Sequence, residues 1–143
     1  MIALDTNLLI YAHRQDSPFH EAALDTLDRL GNGEVPWAIP WPCLHEFLSI
    51  ATHPRIYQPP SPLETALAFL DNWLQSPRLV LLSEGPTHWT TLAKLSRRAK
   101  LRGPKIHDAR IAALCLAHGV DLLYTADRDF SLFPTLKTQN PLL

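Results

Sequence analysis

Cysteine is nearly absent from this chain of 143 residues: there are two, Cys43 and Cys115, far apart and in apolar surroundings. Their isolation excludes a disulfide framework and a cysteine-rich zinc site, and fits a reducing compartment. Long hydrophobic runs are missing too. The longest aliphatic stretch, Ile111 to Ala117 with Cys115 inside it, falls far short of the roughly 20 residues that span a bilayer. No basic lead or cleavage site precedes the opening Met1-Ile2-Ala3-Leu4. We therefore expect a cytoplasmic protein with no secretory signal and no membrane partner. Net charge is also small, −1 from 13 Lys and Arg against 14 Asp and Glu, which at face value gives no hint of a nucleic-acid partner.

Several catalytic signatures are incomplete. His45-Glu46-Phe47-Leu48-Ser49 begins like a zinc-protease helix, but Ser49 stands where the second histidine must be. Asp127-x-Asp129-x-Ser131 begins like a calcium loop, but Leu132 occupies the glycine position. Gly31-Asn32-Gly33 lacks the third glycine of a dinucleotide-binding turn. There is no phosphate loop and no nucleophile elbow.

What is present is an uneven charge distribution. Lys94, Arg97, Arg98, Lys100, Arg102 and Lys105 fall within twelve positions that hold no acid. The rest of the chain keeps seven basic and 14 acidic groups, a net of −7. A charge run is commonly a solvated helix face; the alternative is a phosphate-binding strip beside an acidic site.

The length suits a single domain, residues 1–143, and 46% apolar against 19% charged residues is a globular composition. The 13 prolines mostly punctuate. Ser17-Pro18 reads as the start of a helix carrying Ala23, Leu24, Leu27 and Leu30, which stops at Gly31-Asn32-Gly33. Val35–Ile39 reads as a strand, and Pro40 and Pro42 open a helix carrying Leu44, Phe47, Leu48 and Ala51. The Pro-rich loop to Pro60 reads as irregular. Ser61-Pro62-Leu63-Glu64 reads as a capping box before a helix with Ala66, Leu67, Leu70, Trp73 and Leu74. Arg78–Ser83 reads as a strand buried on both faces. A helix follows to about Ala99, then a basic loop to Lys105. Another runs from about Asp108 to His118, with Gly119 as its left-handed cap. Leu122–Thr125 is the next strand, and the tail from Phe133 adds a short edge strand. Strands alternating with helices predict an α/β fold with a mainly parallel sheet.

In such a sheet, ligands bind at the carboxyl ends of the strands. Asp5 and Asp127 follow strands, Asp108 starts a helix, and Glu46 lies in the helix after Val35–Ile39. Each alone reads as a turn former, a cap or a surface residue. Gathered together, carboxylates repel one another and are costly to desolvate, a conflict that a divalent cation removes. An all-oxygen set suits Mg²⁺ or Mn²⁺, and such a site is the usual apparatus for phosphodiester hydrolysis.

Three segments carry a resemblance. Ile2-Ala3-Leu4-Asp5-Thr6-Asn7-Leu8-Leu9-Ile10 resembles the opening motif of PIN-domain ribonucleases. Ile106-His107-Asp108-Ala109-Arg110-Ile111-Ala112-Ala113 looks like the third acidic motif of that family, and Leu123-Tyr124-Thr125-Ala126-Asp127-Arg128-Asp129-Phe130 like its closing motif. Glu46 falls where the family places its second acid, and Pro42-Cys43-Leu44-His45-Glu46-Phe47-Leu48 is similar to one subgroup of VapC toxins.

The resemblance implies a three-layer α/β/α sandwich and a Mg²⁺- or Mn²⁺-dependent endoribonuclease, the toxin of a toxin–antitoxin pair. Asp5, Glu46, Asp108 and Asp127 would form the acidic site. Asp5, Asp108 and Asp127 would ligate the metal directly or through water, and Glu46 would help hold it or activate the attacking water. Asp129 would be an auxiliary acid, with Thr6, Asn7 and Thr125 orienting carboxylates or water. A homodimer, an RNA substrate and a VapB-like antitoxin are the implied partners. Lys94, Arg97, Arg98, Lys100, Arg102 and Lys105 immediately precede Asp108 and would hold the RNA backbone. Trp37, Trp41, Trp73 and Trp89 are candidate stacking surfaces, although core positions suit most of them and Trp73 lies on an apolar stripe. The competing readings are a housekeeping RNA-processing nuclease of the same fold, and a catalytically silent RNA- or partner-binding module.

Overall fold

The computed structural model describes residues 1–143. Its elements are β1 (Ile2–Leu4), α1 (Thr6–His13), α2 (His20–Gly31), β2 (Trp37–Pro40), α3 (Trp41–Ala51), α4 (Leu63–Leu74), β3 (Leu79–Leu82), α5 (His88–Arg98), α6 (Lys105–Ala117), β4 (Leu122–Tyr124), a 3₁₀ turn (Arg128–Leu132) and β5 (Thr138–Gln139). The five strands form one sheet in the order β3-β2-β1-β4-β5, parallel throughout. Helices α1 to α4 form one packed group and α5 with α6 another. The result is a three-layer α/β/α arrangement around a core of 31 buried apolar residues. No helix is long and apolar enough to cross a membrane.

Strand order positions the site. The chain builds β1, β2 and β3 toward one edge, then returns to place β4 on the far side of β1. The order therefore reverses between β1 and β4, and a crevice opens beyond their carboxyl ends. Leu4 pairs with Tyr124 in register, and the Asp5 N–H donates to the Tyr124 carbonyl at 3.0 Å. The residues that follow the two strands, Asp5 and Thr125 to Asp127, are thereby neighbours.

Where expectation and structure differ, tertiary contacts explain it. Helix α1 is absent from the periodicity reading because Leu8, Leu9, Ile10, Ala12 and His13 are all buried, so no polar stripe marks a helix. The second helix begins at His20, because the Ser17 hydroxyl accepts from the Phe19 N–H in a turn ahead of it. Strand β2 starts only at Trp37, leaving Val35 outside and 70% exposed. Strand β3 lies at the sheet edge, with Val80 39% exposed, and is not buried on both faces. Helix α6 starts at Lys105, which puts Asp108 within its first turn and not at its cap.

The capping box at Ser61 does not form. Pro62 caps α4 without a side-chain bond, and the Ser61 hydroxyl instead meets Nε2 of buried His13 at 2.7 Å. The Ser61 N–H donates to the Ala51 carbonyl at 2.8 Å, and Arg14 Nη1 donates to the Ser61 hydroxyl and the Pro59 carbonyl. Ser61 thus pins the Pro-rich loop to α1 and α3. His13 Nδ1 is buried with no partner, so Nε2 carries all of that ring's hydrogen bonding. Ser61→Ala should cost about 1–3 kcal/mol in urea unfolding, the penalty of stranding a buried polar group; a loss under about 0.5 kcal/mol would show that the bond contributes little.

Candidate active site

Asp5 is the hub. It caps α1: its Oδ1 accepts from the Thr6 N–H at 2.8 Å and faces the Cys43 thiol at 3.7 Å. Its Oδ2 accepts from the Thr125 hydroxyl at 2.7 Å and, more loosely, from Asn7 Nδ2 at 3.4 Å. The same Asn7 side chain accepts from the Ala126 N–H through Oδ1 at 3.2 Å. The Thr125 hydroxyl accepts in turn from the Asp127 N–H at 3.0 Å, and Asp127 Oδ1 accepts from the Asp129 N–H at 2.8 Å. A continuous chain of hydrogen bonds thus runs from the end of β1 to the 3₁₀ turn after β4.

The four expected acids meet. Asp5, Glu46, Asp108 and Asp127 line one open cavity of about 210 Å³, together with Thr6 and Asn7. Helix α3 delivers Glu46 and the first turn of α6 delivers Asp108. The tightest group is Asp108, Asp127 and Asp129, which can place carboxylate oxygens within 4.8 Å of one another. Asp5 is not part of this trio: it is only 5% exposed, with both oxygens engaged. Asp129 is also held by an ion pair with Lys105.

The electrostatics are those of acids crowded together. Burial raises the Asp5 carboxyl to about 6, opposed by its bonds to Thr125 and Thr6. Burial and the Asp127 carboxylate raise Asp108 to about 6 as well. Glu46 is raised by burial and by Asp108. An all-carboxylate donor set suits a hard divalent ion, and the buried Thr6 hydroxyl on the cavity wall has no hydrogen-bond partner. The residues present fit such an ion.

The basic strip is placed differently from the acids. Lys94, Arg97, Arg98, Lys100 and Arg102 are all exposed, and none lines the cavity. Lys105 is the member that reaches the site, through Asp129. Helix α5 packs on α6, so the strip flanks the helix that carries Asp108. Trp37 and Trp73 are buried, while Trp41 is 39% and Trp89 74% exposed, away from the cavity wall. Tyr11 and Tyr57 do line the cavity, and sequence reasoning missed both. Tyr11 was findable: Asn7, Ile10 and Tyr11 share a face once α1 is known to be a helix. Tyr57 carries no such signal, because a loop brings it in.

The profile of the PIN domain matches residues 2–135. This chain belongs to the PIN-domain family. The PIN domain here is 35% identical over 143 residues to Ribonuclease VapC31 of Mycobacterium tuberculosis, covering all of both chains. Among solved structures it resembles VapBC-1 from nontypeable Haemophilus influenzae, with a TM-score of 0.71, 18% identity and complete coverage of both chains. It also resembles Mycobacterium tuberculosis VapC20, described as a sarcin-ricin loop cleaving toxin, with a TM-score of 0.64, 17% identity and 92% and 93% of the two chains covered.

The raised carboxyls make a pH prediction. Folded Asp5 and Asp108 hold their protons up to about pH 6, whereas the ordinary value is 3.8. Between these values the folded state binds more protons than the unfolded, so this contribution to stability is full below about pH 4 and is lost as pH rises through 6. Asp108→Asn removes one charge and leaves the Asp5 hydrogen bonds in place. In metal-free buffer it should raise the melting temperature by a few degrees near pH 8, with the gain vanishing toward pH 4. An equal gain at both pH values would show that the crowding of charge is not its source.

Proposed function

We propose that this protein, a single PIN domain, is a metal-dependent endoribonuclease and the toxin of a toxin–antitoxin pair. The observation that carries the reading is the convergence of Asp5, Glu46, Asp108 and Asp127 on one cavity at the point where strand order reverses. Full-length similarity to proteins named as VapC ribonucleases supports the reaction. Structural likeness to a toxin solved as a VapBC complex supports an antitoxin partner of the VapB type. We place the protein in the cytoplasm as a homodimer.

The cofactor is Mg²⁺ or Mn²⁺. When bound, it would draw negative charge from a phosphoryl oxygen and make the phosphorus a better electrophile. Asp108 and Asp127 would hold it, with Asp5 contributing directly or through water and Asp129 as the auxiliary acid. Thr125, Asn7 and Thr6 fix the rotamer of Asp5 and the entry of the chain into Asp127, the orienting role that such sites need. Glu46, its carboxyl raised by burial and by Asp108, would accept the proton of the attacking water. Lys94, Arg97, Arg98, Lys100, Arg102 and Lys105 would bind the RNA backbone by charge, without reading sequence.

The reading is tested with purified protein and a structured RNA hairpin. Cleavage should require Mn²⁺ or Mg²⁺, stop with EDTA, and fall more than about 100-fold in Asp5→Asn. Cleavage that survives the chelator or the substitution would overturn the metal mechanism. Mn²⁺ should also raise the melting temperature without any RNA present, by the equivalent of about 2.7 kcal/mol at 100 times its dissociation constant. That rise should shrink as the pH drops below about 6, where protons compete for Asp5 and Asp108.

A further inference from the structure

The cavity has a second wall that a cation does not use. Five of its eleven lining residues are apolar: Ile10, Tyr11, Ile50, Tyr57 and Ile111. Carboxylates that hold an ion do not require them, and Tyr11, Ile50 and Tyr57 are only half-buried.

The two tyrosines are braced. The Phe19 ring lies 5.3 Å from that of Tyr11. The Arg14 guanidinium carbon sits 4.2 Å from the centre of the Tyr57 ring. Arg14 is not free to bind phosphate. Its Nε and Nη2 donate to the Asp16 carboxylate at 2.9 and 2.6 Å, and Nη1 donates to the Pro59 carbonyl at 3.0 Å. Its flat face is left as a support for Tyr57. With Ser61 pinned to His13 and Ala51, the loop that carries Tyr57 is fixed at Pro59, by Arg14, and at Ser61. A wall ordered in advance loses little entropy when something lands on it.

The occupant follows from the neighbouring chemistry. The wall and the four acids share one cavity. A nucleic-acid strand that brings a phosphodiester to the acids carries a base within one sugar of it. The cavity, about 210 Å³, is smaller than the roughly 300 Å³ at which small-molecule pockets begin. It suits one flat ring system. Aromatic side chains stack on unpaired bases of any identity.

We propose that Tyr57, backed by Arg14, and Tyr11 form a nucleobase subsite that takes the unpaired base next to the phosphate cut at the acids. This rests on the ribonuclease reading. It makes the Pro-rich loop a substrate-binding element. It also predicts that the protein demands an unpaired base at that position without specifying which one.

The test uses a single-stranded oligoribonucleotide cleaved by the protein in Mn²⁺, remade with an abasic residue or with 2-aminopurine beside the cleaved bond. The wild-type protein should cleave the abasic substrate about 5- to 150-fold less efficiently in kcat/KM. Tyr57→Ala should lose efficiency on the intact substrate and no longer distinguish it from the abasic one, while Tyr57→Phe keeps both properties. In the non-cleaving Asp5→Asn background, binding should quench 2-aminopurine, and adding Tyr57→Ala should abolish the quench. If Tyr57→Ala does not fold by circular dichroism, Tyr57→Leu takes its place. Equal cleavage of intact and abasic substrates, or a quench that ignores Tyr57, overturns the subsite. Failure to cleave any RNA in Mn²⁺ removes the ribonuclease reading itself, and the subsite with it.

Discussion

Strands β1 and β4 run side by side although some 120 residues separate the groups they join, and the site hangs from that pairing. The register of Leu4 on Tyr124 sets Asp5 against Thr125. From there the Thr125 hydroxyl reaches both ways, donating to Asp5 and accepting from the Asp127 N–H. A slip of one residue would turn Asp5 toward the opposite face of the sheet. The core that fixes the register and the carboxylates that line the cavity are therefore one construction.

That construction gathers acids that resist being gathered. Asp5 and Asp108 both hold their protons to about pH 6 because burial and like charge make ionisation unfavourable. At neutral pH, where both carboxyls are ionised, the cluster is thus a local weakness in the fold. Protons relieve that tension, and a divalent ion held there would relieve it too and compete for the same oxygens. Stability and pH are in this way two readings of a single balance, to which metal affinity would be a third.

The acids were legible in the sequence because their chemistry is tied to position. Asp5 and Asp127 follow buried strands, and the α/β alternation says where strand ends go. The parallel sheet was legible for the same reason. Helix α1 was not, since a helix buried on nearly every side shows no periodicity. Ser61 misled because its local pattern is that of a cap, while its hydroxyl is engaged by His13, 48 positions earlier in the chain. Tyr57 and Arg14 were invisible for a related reason. Their contact joins a loop to a helix, and no local spacing encodes it. Five of the six residues in the basic strip show the limit of proximity in sequence: they precede Asp108 in the chain but point into solvent, not into the cavity.

The ion pair between Lys105 and Asp129 bears on electroneutrality. One acid of the Asp108, Asp127 and Asp129 trio is already balanced by a cation that belongs to the chain, so the charge left for an arriving ion rests on fewer groups. Both partners are more than 40% exposed, and pairs of that kind are weak and screened by salt. Rising ionic strength loosens the lysine and returns Asp129 to the trio, and under the proposed function it would weaken the hold of the basic strip on RNA as well. On that reading, the salt content of the surroundings would set the acidic and the cationic halves of this surface in opposite directions.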